Sequence, residues 1–149
     1  MRLWHKDLIE VLPRQQLLSQ WRECCCIARN ISVNGTPNHL LVNKILEYPI
    51  ENFIAYTFLV KKEMEKRGYK IDGSKFSNWF LPEFGHLFHD YYVVEYLECN
   101  DIFSKWHNDR YLKQCFYNLQ EKYDCGGIPD DEFYNLCKKY IELTGDNNV

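Results

Sequence analysis

Pro13-Arg14-Gln15-Gln16-Leu17-Leu18-Ser19-Gln20-Trp21-Arg22-Glu23-Cys24-Cys25-Cys26-Ile27-Ala28-Arg29 is the stretch that decides the fold. Leu17, Leu18, Trp21, Cys24, Cys25 and Ala28 recur at spacings of three and four, which gathers them on one broad face of a helix. Pro13 suits the opening of that helix, where its missing N–H costs nothing. Arg22, Glu23 and Arg29 fall off the apolar stripe. The spacing predicts a helix over Arg14–Arg29 with an apolar face turned one way and an Arg-Glu pair the other.

The flanking sequence is read in the same terms. Ile31 to Pro37 contains the turn signal Asn34-Gly35-Thr36-Pro37, and Asn38 to Leu46 reads as a short helix stopped near Tyr48-Pro49. A stronger helix is expected from Ile50 to Arg67, where Phe53, Ile54, Thr57, Phe58, Lys61 and Met64 share a face. Lys61, Lys62, Lys66 and Arg67 load its C-terminal end in the sense the helix dipole favours, and Gly68 stands where a left-handed residue belongs. Tyr69 to Ile71 reads as briefly extended, Asp72-Gly73-Ser74 as a turn, and Ser77 to Tyr92 as aromatic-rich and irregular. Further helices are expected over Val93–Trp106, Asp109–Tyr123 and, after Pro129-Asp130-Asp131-Glu132, to about Leu143. No strand alternation or repeat persists. The expectation is an all-α fold, a helical bundle forming a single domain over residues 1–149.

A chain of 149 residues is the size of one domain and can bury a real core. No apolar run approaches a membrane span and no charged-then-apolar leader opens the chain, so a soluble, cytoplasmic protein is expected. The seven cysteines are odd in number, three of them consecutive, with no Cys-x-x-Cys pair. They signal neither a disulfide framework nor a zinc site and read as reduced core thiols. A net charge of −3 argues against indiscriminate coating of nucleic acid but leaves room for a local basic face.

Three constellations carry chemistry. Met1 and Glu23 pair an α-amine with a carboxylate, the minimum apparatus for Schiff-base attack on a sugar carbon. α-Amines titrate near pH 8 and lysines above 10, so about 10% of an α-amine is free at neutral pH against below roughly 0.1% of a lysine. Arg2 and Arg22 are then phosphate holders. The plain alternative is a ragged N-terminus beside a solvated Arg-Glu pair. His86 and His89, three apart, with Asp90 or Glu83, form a loose metal-ligand pattern that Phe88 argues is packing instead. His39 and His107 are lone histidines. Trp4, His5, Lys6, Trp79, Phe80, Tyr91, Tyr92 and Trp106 are stacking platforms for unpaired bases or, at helical spacing, core.

The order of these pieces resembles the pyrimidine-dimer DNA glycosylase/AP lyase family of the endonuclease V type. The match is carried by Arg14-Gln15-Gln16-Leu17-Leu18-Ser19-Gln20-Trp21-Arg22-Glu23, where that family has Asp-Gln-His-Leu-Met-Ala-Glu-Tyr-Arg-Glu or an apolar version ending Leu-Trp-Arg-Glu. A second match runs from His39 to Arg67-Gly68-Tyr69-Lys70-Ile71, where the family closes in Arg-Gly-Phe-x-Ile. The resemblance implies a mainly helical enzyme without metal or other cofactor, whose N-terminal amine attacks C1′ of a damaged nucleotide in duplex DNA. It implies Met1 and Glu23 as catalytic residues, and Arg2, Gln15 and Arg22 as contacts to DNA. The chain departs from the pattern in Arg2, which protects Met1 from removal, and in Cys26, where the family has a further arginine. It also departs in a C-terminus that ends Gly145-Asp146-Asn147-Asn148-Val149. Two other classes stay open on the residues alone: a non-catalytic binding or regulatory protein on the same scaffold, and a metal-dependent hydrolase centred on His86, His89 and Asp90.

Overall fold

The structure is a computed structural model that describes residues 1–149. It contains six α-helices, three short 3₁₀ segments and no strand: α1 Arg14–Asn34, α2 Ile50–Lys66, α3 Ser74–Ser77, α4 Asp90–Cys99, α5 Asp109–Asp124 and α6 Asp130–Thr144. The fold is all-α, as its apolar periodicity requires. Leu17, Trp21, Cys24 and Ala28 of the predicted stripe are buried, with Leu18 and Cys25 half-buried against them.

α1 runs on beyond the expected end at Arg29. Nothing before Gly35 breaks it, Ile31 still packs on the core, and Gly35 ends it at φ 74° with its N–H on the Ile31 carbonyl. α2 ends as its sequence forecast. With Gly68 at φ 90°, the Gly68 N–H bonds the Glu65 carbonyl at 2.9 Å and the Tyr69 N–H bonds the Met64 carbonyl at 3.0 Å. That paired arrangement satisfies two orphan carbonyls at once.

The expected helix over Val93–Trp106 is instead α4, which starts at Asp90 and stops at Cys99. Asn52 of α2 explains the break. Its side-chain oxygen captures the Phe103 N–H at 2.9 Å, so Ile102 and Phe103 turn into the core rather than continue a helix. The Ser77–Tyr92 stretch, expected to be irregular, holds a 3₁₀ segment at Gly85–Phe88 and the first turn of α4.

One cluster of 32 buried apolar residues draws on all six helices. The family-like closing motif turns out to be architectural. Arg67 pairs with Glu63 at 2.8 Å and donates to the carbonyls of Leu12 at 2.8 Å and Glu10 at 3.2 Å. Tyr69 accepts a bond from the Arg14 side chain at 2.9 Å. The end of α2 thus locks the bend through which the N-terminal segment enters α1. No helix is long and apolar enough to cross a membrane.

Candidate active site

Residues 2–5 belong to no helix, yet Leu3, Trp4 and His5 are buried. A buried main chain must find hydrogen-bond partners, and without secondary structure these come from side chains. Gln20 of α1 supplies two. Its amide donates to the Arg2 carbonyl at 3.1 Å, and its oxygen accepts the Trp4 N–H at 2.8 Å. Tyr56 of α2 donates to the Trp4 carbonyl at 2.6 Å, and Tyr111 of α5 donates to the Leu3 carbonyl at 2.7 Å. His107, in the turn before α5, accepts the Lys6 N–H on Nδ1 at 3.0 Å, which leaves its proton on Nε2. The N-terminal strap is held from three sides.

The protonation states suit these roles. Burial is the main cause that pushes the Tyr56 hydroxyl well above the usual phenol range, and burial likewise raises Tyr111. Both therefore stay protonated and keep donating. Burial lowers His107 well below the usual histidine range, assisted by His5 and Lys6, so its Nδ1 remains an acceptor. His5, stacked on His107 with ring centroids 5.1 Å apart, is also lowered, first by burial.

Glu23 lies three residues beyond Gln20, so the two share one side of α1. Glu23 is half-buried, while Arg22 is exposed. The two form no ion pair, contrary to the sequence picture of a paired Arg-Glu face. The separation has a plain cause: adjacent helix positions diverge by about 100° around the axis. Met1 is 48% exposed, so the end of the strap stays reachable while its body is buried.

Arg2 is half-buried, with its guanidinium 5.3 Å over the Trp4 ring and Nη1 3.8 Å from the Cys115 sulfur of α5. Gln15 and Arg22 are both exposed and lie seven apart, two turns along one ridge of α1. Arg29 continues that ridge at the next interval of seven, also exposed, and Ser19 and Cys26 lie between. Sequence reading missed Arg29 as a ridge member, although its spacing carried the signal. It also missed Gln20, Tyr56 and Tyr111, whose pattern is indistinguishable from ordinary helix composition.

The other constellations resolve differently. Asp90 gives its carboxylate to Lys62 at 2.8 Å, and His86 and His89 both set their rings edge-on to Tyr92. No group of three His, Cys, Asp or Glu side chains is arranged to hold a metal. Of the aromatic set, Trp4, His5, Phe80 and Trp106 are core, whereas Trp79, Tyr91 and Tyr92 are exposed. The thiols are all free, but only Cys24 and Cys115 are buried, while Cys26, Cys99 and Cys125 are exposed. The reading of all seven as core residues is corrected accordingly. A cavity of about 160 Å³ opens beside α1, walled by Trp21, Ile54, Phe58, Phe76 and Phe88.

The fold and site together define an all-helical protein in which an N-terminal strap is a built feature, anchored on α1 through Gln20, while the same helix carries a half-buried glutamate and the exposed Arg22 and Arg29. Residues 1–77 match the pyrimidine dimer DNA glycosylase family, and the chain belongs to that family. The family's description makes DNA glycosylase the activity class and DNA the substrate class. Neither a curated protein nor a solved structure gave a match.

Proposed function

We propose that this protein is a DNA glycosylase with AP lyase activity on pyrimidine-dimer or abasic duplex DNA, working through the amine of Met1. The observation that carries the reading is the strap. Four side chains from α1, α2, α5 and the turn before α5 fix the main chain of residues 2–6, while Met1 itself stays accessible. A fold that merely buried a terminus would have no need to anchor residues 2–6 so fully and leave the first residue open.

In this scheme the nitrogen lone pair of Met1 attacks C1′ and the glycosidic bond breaks, its electron pair leaving with the base. The attacking nitrogen gives up one proton and keeps the other. O4′ takes up a proton as the C1′–O4′ bond breaks and the sugar ring opens, and a cationic iminium forms. Removal of a 2′ proton then expels the 3′ phosphate by β-elimination, and water releases the product. Glu23 balances the cationic iminium and moves these protons. Gln15, Arg22 and Arg2 hold the DNA, with the α1 ridge tracking its phosphates. The aromatic cavity beside Trp21 supports a partner that offers planar rings.

Borohydride trapping on a duplex with an abasic site tests the reading. The expected product is a covalent adduct mapped to residue 1. One extra residue at the N-terminus displaces the amine by about 3.5 Å, and the adduct should then disappear. Full lyase activity from a protein with an intact N-terminal extension would overturn the proposal.

A further inference from the structure

We propose that Gln20 is a positioning residue for the reacting amine, an inference that rests on the reading of Met1 as nucleophile. Gln20 is completely buried on an otherwise apolar face of α1. A polar side chain there is costly unless its hydrogen-bonding capacity is used, and here both ends of the amide are used on the same strap. The NH₂ group holds the Arg2 carbonyl and the oxygen holds the Trp4 N–H, with the Tyr56 hydroxyl 3.0 Å from that same oxygen.

Two attachments spaced two residues apart fix more than distance. A single hydrogen bond would leave the strap free to rotate about its own length, whereas a donor and an acceptor engaged together set its rotation as well. The Arg2 carbonyl is also the last main-chain group anchored before the terminus. Roughly three soft backbone torsions separate it from the residue-1 nitrogen, because the peptide bond between them is rigid. Whatever fixes the Arg2 carbonyl therefore sets most of the amine's position. Among side chains of this length only an amide both donates and accepts in one plane. Glutamate would keep the Trp4 contact but lose the one to Arg2.

The chemistry tolerates little error in placement, and a displacement of about 1 Å reduces rate by about 10²-fold. Loss of Gln20 should therefore act mainly on reaction, since the Gln15, Arg22 and Arg2 side chains that hold the DNA all remain. The experiment compares wild type, Gln20→Met, Gln20→Glu and a control, Asn52→Leu, in single-turnover adduct formation with borohydride on saturating abasic duplex. Asn52 is also a buried amide, bonded to the Phe103 N–H and the Tyr96 hydroxyl and not to the main chain of residues 1–5, so its loss reports on core damage that leaves the Gln20 contacts in place. Thermal stability, duplex affinity and exchange of the Trp4 amide hydrogen are measured on the same four proteins.

Gln20→Met, close to glutamine in shape, should bind duplex as wild type does, expose the Trp4 amide to exchange and form adduct about 10²-fold more slowly. Gln20→Glu should fall between it and wild type. Asn52→Leu should lose melting temperature yet react at the wild-type rate. If wild type traps at residue 1 and Gln20→Met reacts equally fast, the role of Gln20 is overturned while the amine reading stands. If Gln20→Met slows only as much as Asn52→Leu, the residue is structural and the inference likewise fails. A wild type that traps at no residue, or elsewhere than residue 1, overturns the amine reading and the inference together.

Discussion

The first 77 residues and the last 72 look like different kinds of sequence. The first stretch matches a family and carries the glutamate, the exposed arginine ridge and the Arg67-Gly68-Tyr69 lock. The second carries no aligned motif and displays exposed Trp79, Tyr91 and Tyr92. Yet the strap that presents Met1 is held equally from both. Gln20 and Tyr56 come from the matched half, and Tyr111, His107 and Cys115 from the other. On the proposed mechanism, the difference teaches that a family signature marks the residues that react. It says little about where the geometry for that chemistry is set.

If that division is right, the largest effect belongs to the matched half. Glu23→Gln keeps the shape of the side chain and removes its charge and its proton relay. Base excision and strand cleavage should fall by roughly 10²–10⁴-fold, with binding to abasic duplex and the circular dichroism spectrum unchanged. Wild-type cleavage by this variant in a single-turnover assay would remove the enzyme reading at its centre.

The unmatched half is probed by Tyr111→Phe. The substitution deletes one hydroxyl and leaves the buried Leu3 carbonyl without its partner. A buried acceptor left unsatisfied costs about 1–3 kcal/mol, readable in urea unfolding. The same variant should slow adduct formation, since the strap loses an anchor. A variant that loses stability at unchanged rate would confine the second half to a supporting role and sharpen the contrast between the two.

Acid should loosen the strap from the same side. His107 is held neutral in the fold, its pKa well below the ordinary 6.5 because of burial. The unfolded chain therefore binds the proton first as pH falls. The contribution of neutral His107 is complete above about pH 6.5 and is lost progressively as pH drops toward the folded value. Melting temperature should decline between pH 7 and pH 5, and His107→Asn, which retains an acceptor for the Lys6 N–H, should show a flatter profile. Equal pH dependence in both proteins would assign the acid sensitivity to other groups.

The smallest effect returns to the ridge. Arg22→Ala should weaken duplex binding at every sequence tested and reduce the slope of log affinity against log salt by about one, as one phosphate contact and its released counterion disappear. Cleavage at saturating DNA should stay near wild type, the opposite of Glu23→Gln. A salt slope identical to wild type would take Arg22 off the DNA path.

What the sequence determined by itself was the helical character, most helix limits and the family to which the first half belongs. Apolar spacing over Leu17 to Ala28, Pro13 at a helix entry, Gly68 after Arg67 and the acids after Pro129 are local signals, and local signals survive folding. Only the tertiary structure decided that α4 stops at Cys99 and that a lone histidine at 107 is a strap partner. It also decided that Gln20, one polar residue among many, is the group that holds Arg2 and Trp4. These outcomes depend on hydrogen bonds between groups 16 to 108 positions apart. A helical period records which face of a segment is buried, and nothing in it records which distant backbone group will be waiting there.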